Sequence, residues 1–213
     1  MIYEFPGHDE PIRQGDIFQS IPLIHVDPHN LSVTDDDGVT FDERNWINEI
    51  DQKILRILAI VEPVIGIVVT QDCDAARDKY VAFFQVDEFF QVTKMTPPKN
   101  INAEWWAKKL PEHARTNQKW FYLPADETIG FSQKMAVDFQ TIIRVRTAFL
   151  LANRERLRIG RLNFEADEHF REHVSQYFRR YSYNEWYPLT KEEFEFYKQQ
   201  SSREDTPPYP WQE

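Results

Sequence analysis

One cysteine in 213 residues, Cys73, leaves no partner for an internal disulfide, and this usage fits a reducing compartment. Glycine is scarce too, with 6 against 13 prolines, which favours ordered loops over flexible linkers. No apolar run reaches the roughly 18 residues that a membrane-spanning helix needs. The first residues, Met1 to Pro6, lack the basic-then-apolar pattern of a secretory leader. A cytoplasmic protein with no membrane partner is therefore expected. Positive charge is also in short supply, with 25 Lys and Arg against 35 Asp and Glu, a net of −10. That balance argues against wholesale phosphate-backbone binding, which rests on cations.

Aromatic residues are plentiful at 15% of the chain, so Phe, Tyr and Trp are expected to fill much of the core. The charge that is present is uneven. Acids dominate residues 1–50, where Arg13 and Arg44 are the only Arg or Lys. Arg144, Arg146, Arg154, Arg156, Arg158 and Arg161 then crowd one short span with Glu155 as its only acid. Net charge alone hides this basic stripe.

The stretch from Pro63 to Asp74 organises the rest. Val64 to Val69 is apolar and rich in β-branched residues, which reads as a strand buried on both faces. Gly66 within it marks a bulge or a close backbone approach. Thr70, Gln71, Asp72, Cys73 and Asp74 follow at its C-terminal end, where a rigid strand can present a site. The competing reading is a simple turn, with Asp72 or Asp74 capping a short helix at 75–77.

Other strands are expected from Gly15 through Ile21 to Val26, with Pro22 at an edge or bulge, at 80–86, at 119–124, and at 135–139 and 141–145 joined through Gln140. Residues 27–40 read as a loop or exposed hairpin. A helix over about 43–52, with Asp42 as a cap, is expected before the central strand. Residues 87–93 extend a strand or begin a helix, and a helix over 101–115 should stop near Pro111. The clearest helix spans 164–181, capped by Asn163, with Ala166, Phe170, Val174, Tyr177, Phe178 and Tyr181 at spacings of three and four. A second short helix over 190–200 and an arm rich in proline and aromatics complete the chain. Many short strands without βαβ alternation indicate a mainly β fold with α additions, a small β-barrel or curled sheet. The organisation expected is one domain over 1–181 with insertions, followed by a C-terminal helix and arm over 182–213.

Four groups could carry chemistry. Asp72 and Asp74, two apart, would share a face if extended and could bind a divalent cation, or they are a solvated turn. Cys73 is a nucleophile if His25, His113, His169 or His173 comes near, and otherwise a small buried hydrophobe. His169 and His173 have the i,i+4 spacing of a metal-binding pair, or form a polar helix flank. The arginines at 144–161 either clamp phosphates, with Trp105, Trp106 or Trp120 stacking on bases, or dock the acidic first fifty residues or an acidic partner. No resident metal and no cofactor is expected.

Three pieces in order resemble the PemK/MazF toxin family, a small SH3-like barrel. Gly15-Asp16-Ile17-Phe18 is similar to its opening Gly-Asp-Ile strand. Glu62 to Thr70 is similar to its Arg-Pro-x-apolar run ending in Ser or Thr, with Glu62 in the basic position. Val137 to Val145, then Leu157 to Leu162 and a helix, are similar to its closing strand, Gly-x-Leu turn and C-terminal helix. The resemblance spans about half the chain. It implies a bacterial toxin–antitoxin or defence-type system, a protein partner or homo-oligomer, and single-stranded RNA as a substrate class. Two functions follow. One is a binding or regulatory component that no longer cleaves RNA, as Glu62 and the insertions favour. The other is an endoribonuclease with Thr70, Asp72 and Arg144 as catalytic candidates. Gln71, Cys73, Asp74, Arg158 and Arg161 are the candidate binding residues around them.

Overall fold

A computed structural model describes residues 2–34, 41–49, 51, 56–99, 101–116 and 119–179. Residues 1–177 form one compact unit and 178–213 a second, of which Phe178 and Arg179 fall among the described residues. The expected helix over 190–200 and the arm lie outside the described residues.

In chain order the described elements are β1 (Tyr3–Glu4), β2 (Asp16–His25), β3 (Leu31–Thr34), β4 (Phe41–Arg44), β5 (Ile57–Leu58), β6 (Ile60–Val68), α1 (Asp72–Ala75) and β7 (Tyr80–Glu88). They continue with α2 (Phe89–Thr93), α3 (Ala103–Thr116), β8 (Trp120–Leu123), β9 (Met135–Arg146), α4 (Thr147–Leu157), β10 (Arg158–Leu162) and α5 (Phe164–Phe178). Seven strands form one antiparallel sheet in the order β1-β10-β2-β6-β7-β9-β8. A smaller sheet has the order β4-β3-β5. The architecture is the mainly β, curled sheet with α additions that the strand spacing indicates, a half-barrel.

The central strands run apolar without alternation because both faces of the sheet are covered. Ile17, Ile67 and Phe84 join one core with Phe170 and Val174 of α5. Their neighbours Phe18, Val68 and Phe83 join a second core with Leu150 and Leu157 of α4. A third cluster, built on Phe89, Trp120 and Ala136, is roofed by Trp106 and Leu110 of α3. Phe89 meets Trp106 and Trp120 edge-on at centroid distances of 5.1 and 5.2 Å. Trp105 packs on Trp106 at 4.8 Å. These rings belong to the core and its rim, in arrangements that favour edge-to-face packing.

Gly66 is a close approach and not a bulge. A Cβ there would sit 3.1 Å from Phe83 Cδ1. The bulges fall elsewhere. One interrupts β2 between Phe18 and Ile21, where Ser20 has φ +56°. A second lies in β9, where Phe84 faces Ile142 but Gln85 faces Asp138, and a further irregularity falls in β10 between Arg158 and Gly160. Asp138 holds that second bulge by accepting from Gln140 N at 2.9 Å and Thr141 Oγ1 at 2.9 Å.

Beyond the β2 bulge, residues 21–25 pair with 60–64 alone, forming a two-stranded ribbon. Pro22 stands opposite Pro63. Facing prolines lose least at a non-hydrogen-bonded pair, where the missing N–H groups would have pointed outward. The outer edges are thereby blunted against further strand pairing. Ile24 and Val61, the next pair on that face, are 59% and 56% exposed.

Several local expectations are corrected. The helix expected over about 43–52 is instead β4 and a single 3-10 turn at Trp46–Asn48. Asn45, not Asp42, caps that turn by accepting from Ile47 N at 3.0 Å, while Asp42 lies in β4 opposite Val33. Hairpin pairing with β3 outweighs the helical spacing. The helix α3 runs through Pro111 to Thr116, because a proline forfeits a backbone bond without forbidding the helix, and Trp106 and Leu110 hold it to the third cluster. Residues 158–162, expected as a turn, form β10 between β1 and β2. The helix α4 has no counterpart in the expectations, because Ala148-Phe149-Leu150-Leu151 carries no clean stripe.

Candidate functional site

The tip of β6 is tied down on both sides. Val69 N donates to Ala82 O at 2.9 Å, and Ala82 N donates to Thr70 Oγ1 at 2.7 Å. The Thr70 hydroxyl thus stands in for a backbone carbonyl and extends the pairing with β7. On the other side Gln14 Nε2 donates to Val69 O at 3.0 Å, and Gly15 N donates to Val68 O at 3.0 Å.

The chain then turns into α1. Gln71 occupies the cap position without a side-chain capping bond, so neither Asp72 nor Asp74 is the cap. Asp72 Oδ1 instead accepts from Gln14 N at 2.8 Å, closing the lead-in segment onto the strand tip. Helical backbone also removes the premise that Asp72 and Asp74 share the face of an extended strand. Cys73 is exposed rather than buried, because Ala75 is the residue of this turn that faces the core. Its Sγ lies 3.6 Å from Asp74 Oδ1.

The sequence reading did not select Arg171, yet it is the cation that Asp72 meets. Arg171 Nη2 lies 3.5 Å from Asp72 Oδ2 and 2.8 Å from Asp167 Oδ2. One guanidinium on α5 therefore bridges the strand tip to its own helix, with Asp167 at the favourable i,i+4 spacing. The Asn163 cap fixes that helix start, accepting from Ala166 N at 2.9 Å. Asp167 is partly buried, and its Oδ1 has no hydrogen-bond donor. Burial pushes its carboxyl up to about 6, aided by Asp72 and opposed by Arg171. Gly15 sits directly below with φ +83°, and a Cβ there would stand 2.7 Å from Asp167 Oδ1. Asp72, Asp167 and Arg171 line a cleft of about 310 Å³ together with Arg13, Arg161 and Glu168.

The basic stripe divides. Arg158 and Arg161 turn inward onto buried Asp16. Arg158 Nη1 lies 3.2 Å from Asp16 Oδ2, and Arg161 Nε donates to Asp16 Oδ1. Arg161 Nη1 also pairs with Glu10 Oε2 at 2.9 Å, and Arg154 lies 3.6 Å from Asp9. Arg158 Nη2 donates to Gly7 O at 2.6 Å. These three arginines dock the acidic lead-in, one of the two roles open to them from sequence. The Gly7 N–H and Arg161 hold the Glu10 carboxyl below its ordinary value. Arg144 lies apart, exposed on β9 opposite Ala82, with its guanidinium 4.9 Å from the Tyr80 ring centroid.

His169 and His173 line a different, apolar groove of about 440 Å³ beside Trp120, Phe121 and Tyr122. Burial lowers the pKa of His173. Its Nδ1 has no partner, and the ring meets Phe121 edge-on at 5.5 Å. Among the described residues no group of three or more His, Cys, Asp or Glu is arranged to hold a metal ion. Also among them, no helix is long and apolar enough to cross a membrane. The chain matches no protein-family model and no curated protein.

Proposed function

We propose that this protein is a binding or regulatory component rather than a catalyst, of the toxin–antitoxin or defence-type system that the PemK/MazF resemblance implies. The observation that carries this reading is the state of Asp72. One of its oxygens accepts the Gln14 N–H and the other faces Arg171, so it is held as a structural clasp. A general base needs a free oxygen aimed at the proton it removes. The internal pairing of Arg158 and Arg161 points the same way, since two arginines of the 144–161 stripe are already paired with Asp16. The exposed Ile24–Val61 pair on a ribbon with blunted edges suits contact with a protein through side chains.

A second reading, single-stranded RNA cleavage by Thr70, Asp72 and an arginine from 144–161, has one observation in its favour. Ala82, whose N–H donates to Thr70, faces Arg144 across the β7–β9 pair, so both candidates flank one strand position. The deciding experiment incubates wild type and Asp72→Asn with single-stranded RNA. Absence of cleavage in both, with a stoichiometric protein co-purifying from the native cell, is the expected result. Cleavage by wild type that Asp72→Asn abolishes would sink the binding reading.

A further inference from the structure

The curled sheet leaves a seam between its two edge strands, β1 and β8. Six antiparallel pairings separate them, an even number, so β1 and β8 run parallel to each other. A single chain running opposite to both fits between them and keeps every neighbour antiparallel. At one end the edges already meet, where Tyr3 Oη donates to Pro124 O at 2.8 Å. Along β8 they do not. There the 440 Å³ groove lies between Trp120, Phe121 and Tyr122 on one side and Ile2, Ala166 and His169 on the other.

The register shows which backbone groups face this seam. Phe139 N donates to Lys119 O at 3.1 Å, so 121–137 and 123–135 follow as hydrogen-bonded pairs. Tyr122 opposite Ala136 is then a non-bonded pair, with its N–H and C=O turned away from β9. Two contacts agree. Phe89 N donates to Lys134 O at 3.0 Å, so residues 134, 136 and 138 turn toward β7 and not toward β8. Pro124, two residues beyond Tyr122, accepts its bond from β1 across the seam. Among the described residues nothing bonds the Tyr122 N–H or C=O. The edge is also unguarded. Trp120-Phe121-Tyr122-Leu123 holds no charge and no proline, in contrast to the ribbon with Pro22 and Pro63.

We propose that an extended segment of the protein partner adds to β8 in this seam, antiparallel to it. It exchanges backbone hydrogen bonds with Tyr122 and sends alternate apolar side chains into the groove beside Phe121. The inference rests on the binding function proposed above and names how the partner is held. Phe121 faces Phe170 of α5 at 5.5 Å, while Tyr122 packs in the third cluster on the opposite face. The added strand therefore places apolar residues toward α5 on either side of the residue opposite Tyr122. A second copy pairing through its own β8 would have to bring its own α5 into the same gap, which one extended chain does not.

The test uses the full chain, amide-resolved NMR and the capped peptide acetyl-Lys-Thr-Val-Thr-Ile-Thr-Lys-amide. Its central threonine sits opposite Tyr122, and its valine and isoleucine face the groove. The control is the same peptide N-methylated at the central threonine, which cannot donate to Tyr122 O. Expected are saturable shifts centred on Tyr122 and, at about ten times Kd, roughly tenfold slower exchange of the Tyr122 amide. The control peptide should produce neither. Ala166→Arg, checked for folding by circular dichroism, fills the groove and should weaken binding several-fold. No saturable shift, equal binding of the control, full binding by folded Ala166→Arg, or shifts centred on Ile24 and Val61 instead overturns the proposal. So does a Tyr122 amide already protected without peptide, which sedimentation would assign to a second copy if the chain is a dimer, or to a segment of the same chain if it is a monomer. A partner that co-purifies without protecting Tyr122 would refute this surface and leave the wider binding function standing.

Discussion

Arg161 grips Asp16 with two of its nitrogens, Nε on Oδ1 and Nη2 on Oδ2 at 3.4 Å, where the Asp16 side chain is 0% exposed and that of Arg161 is 6% exposed. The pair locks β10 to the start of β2, and through Pro11 and Glu10 it carries the lead-in as well.

Removing one member should therefore cost more than an ordinary surface change. Arg161→Met leaves buried Asp16 with Arg158 as its remaining ion-pair partner, beside the Arg13 N–H at 3.1 Å, and roughly 3–5 kcal/mol is expected. Urea unfolding followed by circular dichroism measures it. An Asp16→Asn, Arg161→Met double variant should lose less than the two single losses added together, because the uncompensated charge disappears. Strict additivity would mean the pair is not coupled.

Gly15→Ala should destabilise the fold by about 1–3 kcal/mol, the usual cost of a non-glycine residue in the left-handed region. The conformation at φ +83° and the 2.7 Å approach to Asp167 Oδ1 act together. A thermal melt reports the loss. Asp167→Ala in the same chain should recover part of it by removing the clash, and an unchanged melt in Gly15→Ala would refute the argument.

Asp167 sets a pH dependence whose sign follows from its raised pKa. Between 3.8 and about 6 the folded state holds a proton that the unfolded state has released. Stability from this group is therefore present below 3.8 and lost as pH rises through about 6. Asp167→Asn should flatten the stability-versus-pH curve in that window. A wild-type curve that climbs there, with the variant unchanged, would contradict the assignment.

Cys73 is exposed on α1 and belongs to none of the three apolar clusters, so a maleimide should label it at one equivalent in the native chain. Labelling should leave the melting temperature essentially unmoved. Reaction only after denaturation would place the thiol inside.

Phe170 is fully buried between α5 and the sheet, touching Phe121 at 5.5 Å and Phe139 at 6.2 Å between ring centroids. Phe170→Ala should cost about 3–5 kcal/mol. Because α5 also carries Asp167 and Arg171, chemical-shift changes are expected at Asp72 across the cleft as well as in the core. Changes confined to the core would show that the helix and the strand tip are not mechanically linked.

The amino-acid sequence by itself determined the elements whose cause is local. The apolar run at Val64–Val69 called for a strand covered on both faces, the Tyr80–Phe84 run called for another strand, and the spacing of Phe170, Val174 and Tyr177 behind Asn163 called for α5. Alternation and periodicity depend on neighbours along the chain, so they are written in it. Tertiary structure alone decided the rest. Arg171 reaches Asp72 across 99 positions, and Arg161 reaches Asp16 across 145. Pairing β3 with β4 overrode a helical spacing. An ion pair or a strand register between distant segments depends on where the sheet curls and which helix covers it, and no local pattern encodes that contact.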